Sequence, residues 1–155
     1  MKKTISIVFV LTILLFIYMM SAKPNVIVKN NTVKPIYVLS GESRYGVEPD
    51  PAKIDGIIKA RPDVIMPGEV MKISPSFSSL MKDDSVIDLG WNIGARYEHA
   101  ASGGGGWNFL LSDEEGACSI SVVVNEGYNN DSFDEKNDGF CYKKMKSFRY
   151  KYQKN

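Results

Sequence analysis

A β-sandwich behind an export segment is the fold that the sequence predicts, and three observations predict it. Short runs of β-branched and aromatic residues recur along the chain, turn-forming residues separate them, and no long amphipathic helix interrupts them. About seven to nine short strands can be read in this way, which suits a sandwich of two sheets. Closure of the same strands into a small β-barrel is the alternative.

The chain opens with Lys2 and Lys3, followed by an almost unbroken apolar run from Ile5 to Met20; Ser21, Ala22 and Lys23-Pro24 end it. As a helix those residues would span about 24 Å, short of the roughly 30 Å hydrocarbon core, which favours a cleavable signal peptide. Cutting after Ala22 leaves Met20 where the cleavage site prefers a small residue, so a retained N-terminal anchor is the alternative. Either way residues 1–22 deliver residues 23–155, a single β domain, across the inner membrane of a bacterium. The expected location is the periplasm, free or anchored to the inner membrane. No cysteine lies near the end of the apolar run, which closes the lipoprotein route.

Within the domain, Asn25 to Lys29 is a first strand, Asn30-Asn31-Thr32 a turn, and Pro35 to Ser40 a second strand. Four prolines and glycines from Pro49 to Pro62 make residues 41–62 a long loop, with one weak helical turn at Pro51 to Ala60. Pro67-Gly68 is a turn before a strand containing Val70, Met71 and Ile73, and the serine-rich residues 74–85 read as loop. Val86 to Ile93 is the clearest half-buried strand, with Ile87, Leu89, Trp91 and Ile93 on one face and Val86, Asp88, Gly90 and Asn92 on the other. Arg96 to Ala100 continues it after a bend at Gly94. Gly103 to Gly106 reads as a flexible hairpin connection before the strand Trp107 to Leu111. Cys118 to Val124 is a strong strand, Asp131 to Gly139 an acidic loop, and Gly139 to Tyr142 and Phe148 to Tyr152 close the domain.

Composition excludes several functions. The chain is 44% hydrophobic and 24% charged with a formal charge of +1, ordinary for a globular protein. Without Lys2 and Lys3 the domain carries 17 basic and 18 acidic residues, a net −1, which argues against nucleic acid binding. The charge is segregated: eight acids and only Lys136 fall within residues 113–138, and six bases with no acid within 143–154. Such segments either neutralise each other in the fold or meet a charged partner.

Motifs for chemistry are weak. His99 is the only histidine and has no G-x-S-x-G turn to serve. The glycine run lacks the Lys-Ser or Lys-Thr of a phosphate loop. Aligning Asp134 with the first position of a calcium loop puts Lys136 on a ligand position and Met145 on the last, so that reading fails. Two cysteines and one histidine are too few for zinc. No metal, cofactor or enzyme activity is expected. Cys118 and Cys141 are expected to form a disulfide in an oxidising compartment.

An export segment, one compact β domain, the pair Cys118 and Cys141 and a strongly charged surface together resemble the small periplasmic immunity proteins that neutralise interbacterial toxins. The resemblance implies a cognate secreted toxin as partner, blocked by occlusion. The candidate partner-binding residues, chosen from this sequence, are Trp107, Glu114, Glu115, Asp131, Asp134, Glu135 and Asp138. An envelope structural or accessory protein and an unrecognised hydrolase are the alternative functions.

Overall fold

The computed structural model describes residues 22–48, 50–51, 59–137 and 139–149, together with Phe9, Leu11, Thr12 and Gly56. Apart from Phe9, Leu11, Thr12 and Ala22, the expected export segment lies outside the described residues, as do the centre of the weak helical turn, Asp138, Tyr150 and Tyr152. Of that helical turn, Pro51, Gly56 and Lys59 are helical, and the Ala60 amide donates to the Gly56 carbonyl at 2.9 Å.

Among the described residues the chain forms nine strands in two sheets rather than one closed barrel, so the sandwich is the architecture. In chain order they are β1 (Asn25–Asn30), β2 (Ile36–Arg44), β3 (Asp63–Ile65), β4 (Val70–Ile73), β5 (Ser85–Ile93), β6 (Gly103–Ser112), β7 (Ser119–Val124), β8 (Asp131–Lys136) and β9 (Lys144–Phe148). One sheet has the order β4-β1-β7-β8 and the other β3-β2-β5-β6-β9. Neighbours pair antiparallel except β1 and β7, which run parallel from Asn25↔Ser119 to Asn30↔Val124. A short helix, α1 (Phe77–Leu80), bridges β4 and β5. Its N-cap Ser76 accepts from the Ser79 amide, and the Glu42 carboxylate accepts from the Ser76 and Ser79 hydroxyls, both at 2.6 Å.

The period of two works as expected where one face meets the other sheet. Val26 and Val28 of β1 and Ile120, Val122 and Val124 of β7 are fully buried. They pack against Ile36, Val38, Ile87, Leu89, Trp91, Ile93, Phe109, Leu111 and Met145 of the five-stranded sheet. The turn after β1 is fixed by Asn30, itself fully buried. Its amide donates to the carbonyls of Lys34 and Ile65, both at 2.8 Å, and its Oδ1 accepts from the Thr32 amide and hydroxyl.

Several elements differ from the sequence reading. β2 does not end at Ser40: Gly41 to Arg44 pair with Asp88 to Ser85, because the long central strand β5 supplies ladder partners that outweigh weak local propensity. β3 is an unanticipated edge strand of three residues. Gly94, at φ +79°, ends β5 outright, and Glu98–Ala100 is a 3-10 turn rather than a continuing strand. The glycine run is no hairpin connection; it is the first half of β6, with Gly103 to Gly106 opposite Ile93 to Gly90. Asp131 to Lys136 is strand β8 rather than acidic loop. The closing strand is Lys144–Phe148, while Gly139 to Tyr142 is irregular.

The disulfide is formed. Cys118 and Cys141 are bonded with their Cα atoms 5.6 Å apart. Cys118 directly precedes β7 and Cys141 stands shortly before β9, so the bridge ties one sheet to the other.

Candidate functional site

The structure brings two of the candidate binding residues together, as partners of each other. The indole nitrogen of Trp107 on β6 donates to Asp131 Oδ2 on β8 at 2.6 Å. Arg149, just past β9, donates to both Asp131 oxygens at 2.7 and 3.0 Å. Its guanidinium lies 3.9 Å from the centre of the Trp107 ring, and Phe133 stacks on that ring at 4.7 Å. The Asp131 side chain is only 2% exposed. This cluster closes the open side of the sandwich between the edge strands β8 and β9, and Glu135, accepting from the Ser147 hydroxyl at 3.1 Å, extends the seam.

Glu114 and Glu115 lie in the link between β6 and β7. Their amides are held by the Ser112 hydroxyl, both at 3.2 Å. The Glu115 carboxylate pairs with Lys146 at 2.5 Å. That hydrogen bond, and then the opposite charge, hold the Glu115 carboxyl below its usual value and raise the Lys146 ammonium. Lys144 donates to the Glu114 carbonyl, and Lys143 is buried within 3.6 and 3.9 Å of Asp83 and Asp113. Asp134 is exposed on β8, and Asp138 lies outside the described residues. Three acids of the first segment, Asp113, Glu115 and Asp131, thus meet bases of the second.

A different surface emerges from the cross-strand register. On the face of the five-stranded sheet turned away from the core, three rows cross β2, β5 and β6. They are Tyr37–Asn92–Gly104, Leu39–Gly90–Gly106 and Gly41–Asp88–Asn108. The middle row has no side chain beyond Leu39, so it forms a floor between two rows that carry amide, carboxylate and phenol groups. Two adjoining hollows of about 330 and 310 Å³ lie over this floor, and a third of about 580 Å³ continues from Gly106 and Asn108 to Trp107 and Arg149. A Cβ at Gly90 would meet nothing nearer than the Gly105 carbonyl at 4.0 Å. The space above it is open.

The trough is built by close backbone approach. A Cβ on Gly105 would stand 2.7 Å from the Trp91 ring, and one on Gly103 2.3 Å from the Gly127 carbonyl oxygen. Only glycine lets β6 lie so near β5 and the β7–β8 link. That link supplies one wall: the Asn129 amide donates to the Gly104 carbonyl at 2.8 Å, and the Tyr128 hydroxyl donates to the Ala101 carbonyl at 3.1 Å. Asn92 is oriented by the Arg96 carbonyl at 3.0 Å, and Glu98 stands at the rim.

The sequence offered one signal for this site, Gly90 inside an otherwise regular strand. Its alignment with the glycine run could be seen only once the register was known.

Such a surface can hold a partner by shape, by phenol contacts and by hydrogen bonds from amides and carboxylates. Among the described residues that line it, none is histidine or cysteine. His99 is exposed on the 3-10 turn, with its ring 5.8 Å from Tyr97. Among the described residues no group of three or more His, Cys, Asp or Glu is placed to hold a metal ion. No family model, no curated protein and no solved structure matches the chain.

Proposed function

We propose that the chain is an exported immunity protein, which binds a secreted antibacterial toxin in the periplasm and blocks it by occlusion, without catalysis of its own. The observation that carries this reading is the glycine-floored trough. It is a preformed concave surface on a rigid sheet, with polar groups along both sides and a tyrosine at each end of one wall. A protruding loop of the toxin would seat there, with Tyr37 and Tyr128 as anchors and Asn92, Asn108 and Asn129 as polar contacts. The Cys118–Cys141 bridge suits an oxidising compartment. The trough replaces the acidic stretch as the expected binding surface, because Asp131 and Glu115 already have partners within the fold.

The test uses Gly90→Trp. Position 90 has room for a side chain, so the variant should fold normally while filling the trough. Co-expressed with the product of the neighbouring gene, the unmodified chain should bind that product and protect the cell from it. Gly90→Trp should weaken binding at least about tenfold, or 1.4 kcal/mol. Equal binding by the folded variant would remove the trough from the reading. Failure of the unmodified chain to bind or protect would remove immunity itself.

A further inference from the structure

We infer that the N-terminal apolar run is retained as a membrane anchor, and that the end of the sandwich from which it leaves rests on the bilayer through an exposed aromatic patch. This holds whatever fills the trough.

The first observation is where the fold begins. Ala22 is 6% exposed, and its carbonyl accepts the Tyr142 amide at 2.8 Å. Pro24 is buried, and the Asn25 amide donates to the Cys118 carbonyl at 3.0 Å. Ala22 is thus a packed part of the domain, one residue beyond Ser21 and two beyond the last residue of the apolar run. A cut after Ala22 would delete that contact and leave the Tyr142 amide without its partner. It would also require a cleavage site with Met20 in place of the preferred small residue.

The second observation is independent of the first. Tyr142, whose amide meets Ala22, is 51% exposed, and Phe77, Met81 and Phe140, two residues before it, are 53, 61 and 69% exposed. Phe77 and Met81 are four residues apart on the turn of α1, joined by the Met81 amide to the Phe77 carbonyl at 3.2 Å, and so share a face. Tyr142 lies against Met81, its hydroxyl 4.0 Å from the sulfur. Lys23 reaches the Pro75 carbonyl at 3.4 Å, drawing α1 against the start of the domain. Large apolar side chains grouped at the point where an apolar run enters fit the headgroup region of a bilayer, where aromatic rings concentrate.

Charge agrees with that occupant, and the patch offsets the short length of the run. The sixteen residues of the run would reach about 24 Å as a helix, so a retained span must thin the bilayer or draw its flanks inward. A patch that sinks to headgroup level supplies the second. Lys2 and Lys3 keep the far end of the run inside, leaving the domain outside. Lys82 is followed by Asp83 and Asp84, so the patch is not net basic and the contact is apolar in kind, insensitive to salt.

The full chain, expressed with its N-terminus and purified from inner membranes, tests both halves. Its mass should include residues 5–20. Reconstituted into vesicles of phosphatidylethanolamine and phosphatidylglycerol with brominated acyl chains, Phe140→Trp should lose most of its added fluorescence. Tyr128→Trp, at the opposite end of the sandwich, should keep its own. Phe77→Trp is a second reporter should Phe140→Trp disturb the fold. A soluble chain that begins after residue 22 would overturn the anchor. Equal quenching of the two ends on a retained anchor would overturn the resting patch.

Discussion

A single methyl group distinguishes the two kinds of glycine in this sheet. At Gly105 it would press on the Trp91 ring at 2.7 Å, and at Gly103 on a backbone oxygen at 2.3 Å. Neither neighbour is a flexible chain end, so Gly105→Ala and Gly103→Ala should each lose about 1–3 kcal/mol or more by overpacking. Gly90→Ala meets open space in a strand where glycine is unfavourable, and should be neutral or stabilise by up to about 1 kcal/mol. Urea unfolding of the three variants checks the contrast, and a Gly90→Ala as damaging as Gly105→Ala would contradict the open trough. Charge offers a second test at this scale. Pairing with Lys146 holds the Glu115 carboxyl below its unfolded value. Its contribution is therefore complete above the ordinary glutamate value and is lost as pH falls through the depressed one. Both groups lie in solvent, so Glu115→Gln should flatten the acid side of a melting-temperature profile only slightly and leave the neutral side unchanged.

Strands were legible from the sequence where one face is buried, and illegible where it is not. β1, β5 and β7 alternate because every second residue enters the core. β8 carries Asp131, Phe133 and Glu135 on its inward side, since that side meets the polar seam along β9. Its pattern therefore reads as an acidic loop. The glycine run shows no period because it has no side chains, and β3 is too short to show one. The trough was hidden for a related reason: it is an absence of side chains on two adjacent strands, aligned by register. At this scale the disulfide has the clearest consequence. It joins residues 23 apart across the two sheets and encloses β7 and β8. Chain entropy for such a loop predicts a loss of about 3 kcal/mol on Cys118→Ala. The loss should be local in character. Amide exchange should rise most in β8 and residues 137–141, where Phe133 is the main apolar anchor. β7 stays held between β1 and β8, so exchange rising equally in β1 and β7 would show that the bridge supports the whole sandwich instead.

The molecule has two ends with different chemistry, and the strand directions separate them. The start of β1, the end of β4, the starts of β5 and β7 and the end of β6 lie together, beside Ala22 and the aromatic patch. The end of β5 and the start of β6 lie at the other end, with Glu98, Tyr128 and Asn129. β5 links the two: at about 3.4 Å per residue, Gly90 is roughly 17 Å from Ser85 and the far end roughly 27 Å away. An anchored domain would thus hold its trough clear of the bilayer and open to a partner in solution. Residues so far apart share no contact, so their substitutions should act independently. Gly90→Trp should weaken partner binding and leave vesicle quenching at Phe140→Trp unaltered. Phe77→Ser with Met81→Ser should reduce that quenching and leave the partner's affinity unaltered. Combining all of them should give the two losses together, with the stability changes summing to within about 0.5 kcal/mol. A partner that binds the serine variant less tightly would show that it reads the membrane end as well, and would place its contact across the length of the sandwich rather than in the trough alone.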